Sequence, residues 1–399
     1  MNLTILGSTG SIGTSTLDVV RQQSDCYSVY GLVAGRNTGV LSSQILEFRP
    51  KVVVVADDAA RHDLQSHLEE SALPRGEWPE MAIGPRGRVL AATAPEIEFV
   101  MSAIVGVAGL EATYEAIRAK KRIGLANKEV LVASGRLVME AVRDSGSALL
   151  PVDSEHNGAH QCFRAGSREE VSRLILTASG GPFRERSKES LWSVTPQEAL
   201  NHPTWKMGRR ITIDSATMMN KGFEVIEACW LFDLKPSEVD VVVHPQSSIH
   251  AMVEYRDGSV IAQISATDMR MPIQYALTYP SRDRAPVPGL DWTTARCWTF
   301  SAPDFEKFRL LKLAYEAQEQ GGSATCTLNA ADEIAVEAFL AGEISFPAIA
   351  DVVEETLHRQ GSREPATIGE VIAIDVESRG VAAQVVAEFR RSSVTARQS

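Results

Sequence analysis

Three carboxylate residues in two short polar segments are the feature of this sequence with the clearest chemical meaning. Asp153 and Glu155 stand in the stretch VDSE, and Glu224 stands in the stretch NKGFEVIE. Oxygen-rich clusters of this kind suit a hard divalent cation such as Mg²⁺ or Mn²⁺. Asp153 and Glu155 follow an apolar stretch, 148–152, and on an extended segment their side chains would point the same way. The residues therefore predict a metal site; two solvated carboxylates at a strand end are the alternative.

Polar donors surround Glu224 in the segment DSATMMNKGFE at 214–224. Ser215, Asn220 and Lys221 could together hold a phosphate or a sulfonate. Glu227, one helical turn beyond Glu224, is interpreted as a supporting or purely structural residue. This segment therefore combines a candidate metal ligand with a candidate anion site.

Three other segments carry candidate substrate contacts. Ser179 is followed by two glycines in SGGPF, after a predicted strand, which suits an anion; an ordinary turn is the alternative. Lys128 follows another predicted strand in LANKE, beside Asn127 and Glu129. The loop HPTWKMG at 202–208 contains a histidine, a tryptophan and a methionine; its aromatic residue could be a lid over a ligand or a hydrophobic anchor for the loop.

The first residues predict a nucleotide site. The strand-like LTIL is followed by GSTGSIG at 7–13 and then by helical spacing. Glycines in such a turn let the backbone approach a pyrophosphate, and the helix N-terminus offers free N–H groups. The second strand ends at Val33-Ala34-Gly35-Arg36-Asn37 without the carboxylate that usually holds the ribose of NAD. The cation Arg36 at this place favours NADPH. The alternative is that Arg36 lies in a surface loop and has no role in cofactor binding.

The spacing of apolar residues predicts regions of different secondary structure along the chain. Residues 1–150 alternate strands and helices, which indicates a parallel sheet covered by helices on both faces. Residues 151–285 predict an α+β domain with a largely antiparallel sheet, including strands at 174–178 and 210–213 and a hairpin around Asp257-Gly258. Residues 286–304 are interpreted as a linker, and residues 305–399 predict helices.

Composition limits the classes of function. The chain has 399 residues, of which 44% are hydrophobic and 23% are charged, and its net charge of −11 disfavours general binding to nucleic acid or to anionic membranes. The five cysteines form no CxxC pair, which indicates a reducing compartment, and we expect a cytoplasmic protein. No apolar run reaches the about 18 residues of a membrane helix, and no signal peptide is expected.

Long motifs in order along the chain resemble the 1-deoxy-D-xylulose 5-phosphate reductoisomerase family. They are GSTGSIG, LANKE, PVDSEHN, SGGPF, HPTWKMG, DSATMMNKGFE, HPQSSIH and LNAADEIAVEAFL. The resemblance implies an NADPH-binding Rossmann-type domain (1–150), a catalytic and dimerisation α+β domain (151–285), a linker (286–304) and a C-terminal helical domain (305–399). It also implies a homodimer.

The resemblance assigns a role to each matching residue. The implied metal ligands are Asp153, Glu155 and Glu224, around Mg²⁺, Mn²⁺ or Co²⁺. The implied substrate contacts also include Glu155 and Glu224, together with Lys128, Ser154, Ser179, His202, Trp205, Met207, Ser215, Asn220 and Lys221, with Lys128 and His202 also taking part in catalysis. The implied NADPH contacts are Thr9, Gly10, Ser11, Ile12, Gly35, Arg36, Asn37, Asn127, Glu129 and Gly208.

The implied reaction is the metal-dependent, NADPH-driven rearrangement and reduction of 1-deoxy-D-xylulose 5-phosphate to 2-C-methyl-D-erythritol 4-phosphate, in non-mevalonate isoprenoid precursor biosynthesis. A retro-aldol/aldol route is favoured, with a concerted shift as the alternative. Two other functions compete: an NADP-dependent dehydrogenase that needs no metal, and a non-catalytic NADPH sensor. Dependence of turnover on a metal would separate the first from a reductoisomerase, and turnover itself would separate the second.

Overall fold

The computed structural model describes residues 1–205 and 207–398, with side chains described up to Arg391. By contacts, the chain divides into two compact units. The first comprises Met1–Val130, Val138–Asn157 and Asp268–Gly289; the second comprises Leu131–Leu137, Gly158–Thr267 and Leu290–Ser399. The four functional segments predicted from the sequence stay a prediction.

Strands occupy the first two thirds of the chain. In chain order they are β1 (Asn2–Leu6), β2 (Ser28–Val33), β3 (Val52–Val55), β4 (Glu80–Ile83), β5 (Phe99–Ser102), β6 (Arg122–Leu125), β7 (Leu149–Pro151), β8 (Val171–Ala178), β9 (Val239–Val243), β10 (Ile249–Tyr255) and β11 (Val260–Ile264).

Helices connect the strands and make up the C-terminal region. In chain order they are α1 (Ser11–Gln22), α2 (Thr38–Phe48), α3 (Asp58–Glu69), α4 (Gly84–Thr93), α5 (Leu110–Arg118), α6 (Glu129–Ser145), α7 (Ser154–Phe163), α8 (Pro196–Ala199), α9 (Arg209–Ala216), α10 (Met219–Phe232), α11 (Arg270–Thr278), α12 (Arg309–Gln320), α13 (Ala324–Leu340), α14 (Ala348–Gln360) and α15 (Ile368–Gln398). Within the part of the chain that is described, none of these helices is long and apolar enough to cross a membrane.

The first unit is built on a seven-stranded parallel sheet in the order β4-β3-β2-β1-β5-β6-β7. Its strands are short and apolar, as strands that are covered on both faces must be. Leu3, Ile5, Leu32 and Phe99 are fully buried in its core. The strand order reverses at β1, which is the place where open α/β sheets bind nucleotides. The predicted fold of this region is confirmed.

The second unit has a four-stranded sheet in the order β11-β10-β8-β9. β10 is antiparallel to β8 and β11, whereas β8 and β9 are parallel, so the sheet is mixed. The predicted hairpin is present, and Gly258 adopts a φ of +84° at its turn. A second apolar core, which includes Phe223, Leu328 and Phe339, forms among α10, α12, α13, α14 and α15.

One predicted element has the wrong type. Residues 210–213 were expected to form a strand but belong to helix α9. The alternation of Ile211 and Ile213 with polar residues resembles a strand, but helical spacing buries Ile213 and Ala216 on one face. An ion pair from Arg210 to Asp214, four residues on, supports the same helix.

Close packing at Gly135 shapes helix α6. The helix is kinked at Ser134, whose φ is −145° and ψ is 28°. The next residue, Gly135, lies so near the ring of Trp230 that a Cβ atom there would overlap Cδ1 and Nε1 of the indole. The glycine therefore allows α6 and α10 to approach closely.

We expect Gly135→Ala to lower the free energy of unfolding by about 1–3 kcal/mol, because the added methyl group must displace Trp230. Urea denaturation followed by circular dichroism measures the change. Gly380→Ala is the matched control, since that exposed helical glycine has open space around its Cα, and alanine there should stabilise by up to about 1 kcal/mol. Equal stability of the two variants would contradict the packing argument.

Candidate active site

The glycine-rich turn after β1 needs glycine at two positions. Gly7 has a φ of +90°, and a Cβ atom on it would overlap the carbonyl of Ala103, just after β5. A Cβ atom on Gly13 would overlap the carbonyl oxygen of Gly7. The turn is therefore tight and free of side chains where it meets α1, whose first N–H groups have no partner within the helix. Predicted cofactor residues in and beside the turn are Thr9, Gly10, Ser11 and Ile12.

Gly35, Arg36 and Asn37 follow β2 at the same edge of the sheet. The Arg36 guanidinium is largely exposed and forms an ion pair with Asp57, which follows the neighbouring strand β3. A backbone N–H bond from Ala60 and the Arg36 guanidinium lower the pKa of Asp57. Asn37 caps helix α2 by accepting a 3.5 Å hydrogen bond from the N–H group of Val40. A cation thus stands at the end of β2, with an acidic partner that the sequence analysis missed.

Lys128 and Asp153 meet at the carboxyl ends of neighbouring strands. Leu125 of β6 pairs with Pro151 of β7, so the segments after the two strands lie side by side. The Lys128 ammonium group donates to Oδ2 of Asp153 at 3.0 Å, and the two side chains are only 8% and 15% exposed. The parallel register explains why these residues, distant in sequence, form one charged pair.

The sequence predicts that Asp153 and Glu155 lie on one extended segment, and this prediction is wrong, because Glu155 belongs to helix α7. Asp153 precedes helix α7, and its Oδ1 accepts a 3.1 Å hydrogen bond from the N–H group of Glu155 in the first turn. The correction has a simple cause, since aspartate is a favoured helix cap. Ser154 donates to Oε1 of Glu155 at 3.0 Å. The turn still keeps both carboxylates at the end of β7.

Asn127 fixes the loop that follows β5. Its amide nitrogen donates to the carbonyl oxygens of Ile104 and Gly106, the latter at 3.0 Å. Its buried side-chain oxygen accepts no hydrogen bond from the residues that are described, so it remains available to a ligand donor. Glu129, at the start of α6, is also buried.

In the second unit, Ser179 and Ser215 meet at His202. The Nε2 atom of His202 lies 3.2 Å from the hydroxyl of Ser179 and 3.0 Å from that of Ser215. Gly181, with a φ of +65°, lets the loop after β8 approach α9, since a Cβ atom there would lie 2.7 Å from the carbonyl oxygen of Ser215. Three predicted substrate contacts therefore converge.

The hydrogen bonds of His202 define which ring nitrogen carries the proton. Nδ1 accepts from the backbone N–H groups of Thr204 and Trp205 at 3.1 and 2.9 Å. The proton of the neutral ring is therefore on Nε2, which faces the two serine hydroxyls. Burial lowers the pKa of His202 and so favours this neutral form.

Two donors hold Glu224 on helix α10. Its carboxylate is fully buried; Asn220 donates to Oε1 at 2.6 Å, and Lys221 forms an ion pair with Oε2. Lys221 is itself almost completely buried. Glu227, one turn further, is buried as well. The segment 220–224 thus presents a cationic group beside a desolvated carboxylate.

The loop before α9 contains Trp205, Met207 and Gly208. Trp205 and Met207 are half-buried, and Gly208 is exposed at the start of the helix. Lys206, which belongs to the HPTWKMG motif, lies outside the described residues. The loop is anchored through the hydrogen bond from Trp205 to His202.

Within each unit, the structure brings sequence-predicted residues together. Lys128, Asp153, Ser154 and Glu155 form one group in the first unit, and Ser179, His202 and Ser215 form another in the second, where Asn220 and Lys221 gather around Glu224. Asp57 was missed, although its position after the strand KVVVVA, beside β2, was a usable signal.

Family models match three stretches of the chain. The model described as 1-deoxy-D-xylulose 5-phosphate reductoisomerase matches residues 3–135. The model of the C-terminal domain of that enzyme matches 149–232, and the model described as DXP reductoisomerase C-terminal domain matches 264–381. Together the three models cover most of the chain.

Relatives with this name resemble the chain over nearly its whole length. The 1-deoxy-D-xylulose 5-phosphate reductoisomerase of Solibacter usitatus (strain Ellin6076) is 65% identical over 394 residues, 99% of each chain. That of Thermoanaerobacter pseudethanolicus (strain ATCC 33223 / 39E) is 51% identical, over 94% of this chain and 96% of that protein.

Solved structures agree in fold. The reductoisomerase from Zymomonas mobilis, in complex with NADPH, is 46% identical with a TM-score of 0.89 and covers 96% of this chain and 98% of its own. A DOX-P reductoisomerase in complex with NADPH, fosmidomycin and magnesium is 39% identical with a TM-score of 0.91 and covers 97% and 98%. With these matches and with the residues described above, the chain belongs to the 1-deoxy-D-xylulose 5-phosphate reductoisomerase family.

Proposed function

We propose that this protein converts 1-deoxy-D-xylulose 5-phosphate into 2-C-methyl-D-erythritol 4-phosphate, using NADPH and a divalent cation. The observation that carries the proposal is the 65% identity to a reductoisomerase over 99% of the chain. The product belongs to the non-mevalonate route to isoprenoid precursors. The enzyme is thus an NADP-dependent oxidoreductase with an isomerase step.

Asp153, Glu155 and Glu224 are the proposed metal ligands, since each offers a carboxylate oxygen. Carboxylates suit Mg²⁺, Mn²⁺ or Co²⁺, and the burial of Glu224 favours a cation as its partner. When bound, the cation supplies Lewis-acid stabilisation of charge on the substrate oxygens, and NADPH supplies a hydride. Lys128 orients Asp153, while Asn220 and Lys221 orient Glu224.

Ser179, His202 and Ser215 are proposed to bind the phosphate of the substrate, together with Asn220 and Lys221. The hydroxyls of Ser179 and Ser215 lie 3.2 and 3.0 Å from Nε2 of His202, and all three groups are neutral donors. Binding a phosphate remote from the reacting carbons aligns those carbons. Ser154 is proposed as a further substrate contact. Trp205 and Met207 are proposed to form a flap over the bound substrate.

NADPH is proposed to bind along the first unit. The turn Gly7–Gly13 and the N-terminus of α1 would hold the pyrophosphate, because the turn carries no obstructing side chain. Arg36 would pair with the ribose 2′-phosphate. The further proposed contacts are Thr9, Gly10, Ser11, Ile12, Gly35, Asn37, Asn127, Glu129 and Gly208.

We also infer a homodimer in the cytoplasm. The dimer is inferred from the family resemblance of the sequence. The five free cysteines support a reducing compartment; three of them are buried, and burial raises the pKa of each buried thiol to about 12. The proposed metal is Mg²⁺, Mn²⁺ or Co²⁺.

The direct test is loss of NADPH absorbance with 1-deoxy-D-xylulose 5-phosphate and Mn²⁺, with and without a chelator. We expect turnover that the chelator abolishes.

Glu224→Gln should lower turnover by at least about a hundredfold, because several kcal/mol of charge stabilisation depend on the cation. NADPH affinity, measured by fluorescence titration, should stay unchanged because the cofactor residues lie mainly in the first unit.

Glu227→Gln is the matched control for this variant, since it replaces a buried glutamate on the same helix. We expect its turnover to stay within a few-fold of the wild type. Turnover that survives the chelator would favour a metal-independent dehydrogenase. NADPH binding without any turnover would favour a sensor.

His202→Asn tests the phosphate site. The asparagine oxygen can accept the two backbone N–H bonds that Nδ1 accepts, but the contact with the serines is lost. We expect KM for the ketose phosphate to rise about tenfold, with a smaller change in kcat, because one hydrogen bond to a charged group disappears. Steady-state kinetics measures both constants; an unchanged KM would contradict the assignment.

The same variant has a pH signature. Because the pKa of folded His202 lies below the ordinary 6.5, its stabilising effect is present above that value and is lost as the pH falls through the folded pKa. Thermal unfolding midpoints between about pH 7.5 and 5 should therefore fall more for the wild type than for His202→Asn.

Arg36→Ala should weaken NADPH binding about tenfold and leave NADH binding unchanged, because only NADPH has the 2′-phosphate. Asp57→Asn is the matched variant, because asparagine also caps α3 but removes the negative charge beside Arg36. We expect it to bind NADPH at least as tightly as the wild type. Calorimetric titration of the wild type and the two variants with both cofactors gives the six affinities, and equal losses for NADPH and NADH in Arg36→Ala would refute the role of Arg36.

A further inference from the structure

A buried ionic network joins helix α9, which carries Ser215, to helices α13 and α15 of the same unit. Arg210 on α9 forms an ion pair with Glu333 on α13 at 2.7 Å and donates to Oδ1 of Asn329 at 2.9 Å. Arg379 on α15 forms a second ion pair with Glu333 at 2.6 Å. The position of α9 therefore depends on charged contacts with the C-terminal helices.

Among the residues that the structure describes, carboxyl groups outnumber guanidinium groups in this network. Asp332 is its most deeply buried member, with a side chain that is 0% exposed, and the side chains of Asp375 and Asp214 are 4% and 6% exposed. Burial of an uncompensated charge is costly, and such a group usually becomes neutral instead. The carboxyl residues are Asp214, Asp332, Glu333 and Asp375, and the guanidinium residues are Arg210 and Arg379.

The surroundings of Asp332 single it out as the protonated member. Neither of its oxygens accepts a hydrogen bond from a donor in the described part of the chain. The Nη2 atom of Arg210 lies 3.7 Å away, which is beyond hydrogen-bond distance. Burial, and next the charge of Asp214, raise the pKa of Asp332 well above its ordinary value. A neutral carboxylic acid differs from a carboxylate in having an O–H donor.

We propose that Asp332 is a positioning residue, which keeps its proton and donates it in a hydrogen bond to Asp214, and that this bond holds α9 in place for the substrate phosphate. The carboxyl groups of Asp332 and Asp214 flank the same guanidinium group, that of Arg210, at 3.7 and 3.6 Å. Asp214 adjoins Ser215, whose hydroxyl lies 3.0 Å from Nε2 of His202. The kinetic part of this inference rests on the proposed function, whereas the protonation of Asp332 does not.

The groups that face Asp332 define its pH dependence. They are Asp214 and Arg210 on α9 and Glu333 on its own helix, with Arg379 and Asp375 on α15 behind Glu333. Because the folded pKa of Asp332 lies above the ordinary 3.8, its stabilising effect is full below that value and is lost as the pH rises through the folded pKa. A residue that cannot ionise would not show this loss.

Asp332→Asn and Asp332→Ala test the proposal in the full-length protein. The asparagine amide can donate to Asp214 as the acid does, so KM for the ketose phosphate should stay within about twofold, whereas alanine should raise it about tenfold. The thermal midpoint of Asp332→Asn should also fall less between about pH 6 and 9 than that of the wild type. Asp375→Asn, which removes an ion pair with Arg379, should leave KM unchanged. Its thermal midpoint should fall between about pH 6 and 9 by as much as that of the wild type.

Each outcome decides between the readings. If Asp332→Asn raises KM as much as Asp332→Ala does, Asp332 is ionised and the proposal is overturned. The same holds if the thermal midpoint of Asp332→Asn falls with rising pH as much as that of the wild type. An unchanged KM in Asp332→Ala overturns the positioning role. If Asp332→Ala fails to fold, the pH profile and the KM of Asp332→Asn still decide. Absence of turnover in the wild type overturns the proposed function, while the thermal comparison still tests the proton.

Discussion

The removal of charged side chains from water is the constraint on which the candidate site depends. A buried carboxylate is tolerated only with a cation or several donors. Asp153 meets this need through Lys128 in the first unit, and Glu224 meets it through Lys221 and Asn220 in the second. The same pairs hold the carboxylates in fixed orientations, as their proposed role as ligands of a hard cation requires.

Neutral donors serve a different purpose in the second unit. His202 accepts backbone hydrogen bonds at Nδ1 and turns its Nε2–H group towards Ser179 and Ser215. In the proposed phosphate site, these hydroxyls and the neutral imidazole add hydrogen-bond donors without adding a second buried positive charge to that of Lys221. The desolvation that lowers the pKa of His202 therefore also suits it to its proposed ligand.

Close backbone approach brings these side chains to the ends of strands. Gly7 and Gly13 remove the side chains that would otherwise fill the turn before α1, and Gly181 allows the loop after β8 to reach α9. α9 is in turn connected to the C-terminal helices through Arg210. Through this connection, the C-terminal helices help to fix the element that carries Ser215.

Local pattern was sufficient to predict the parallel sheet, the glycine turn and the hairpin at Gly258; the roles that it assigned to the residues of the candidate site stay predictions. These depend on short-range chemistry: apolar runs, glycine at a sharp turn, and family motifs that survive as contiguous strings. The type of residues 210–213 was not predictable in this way, because the burial of Ile213 and Ala216 against other helices decides in favour of a helix. Only the tertiary structure placed Lys128 against Asp153, His202 between two serines, and Asp332 beside Asp214. Those contacts join residues up to 118 positions apart, and a side chain's protonation depends on neighbours that the linear order does not identify.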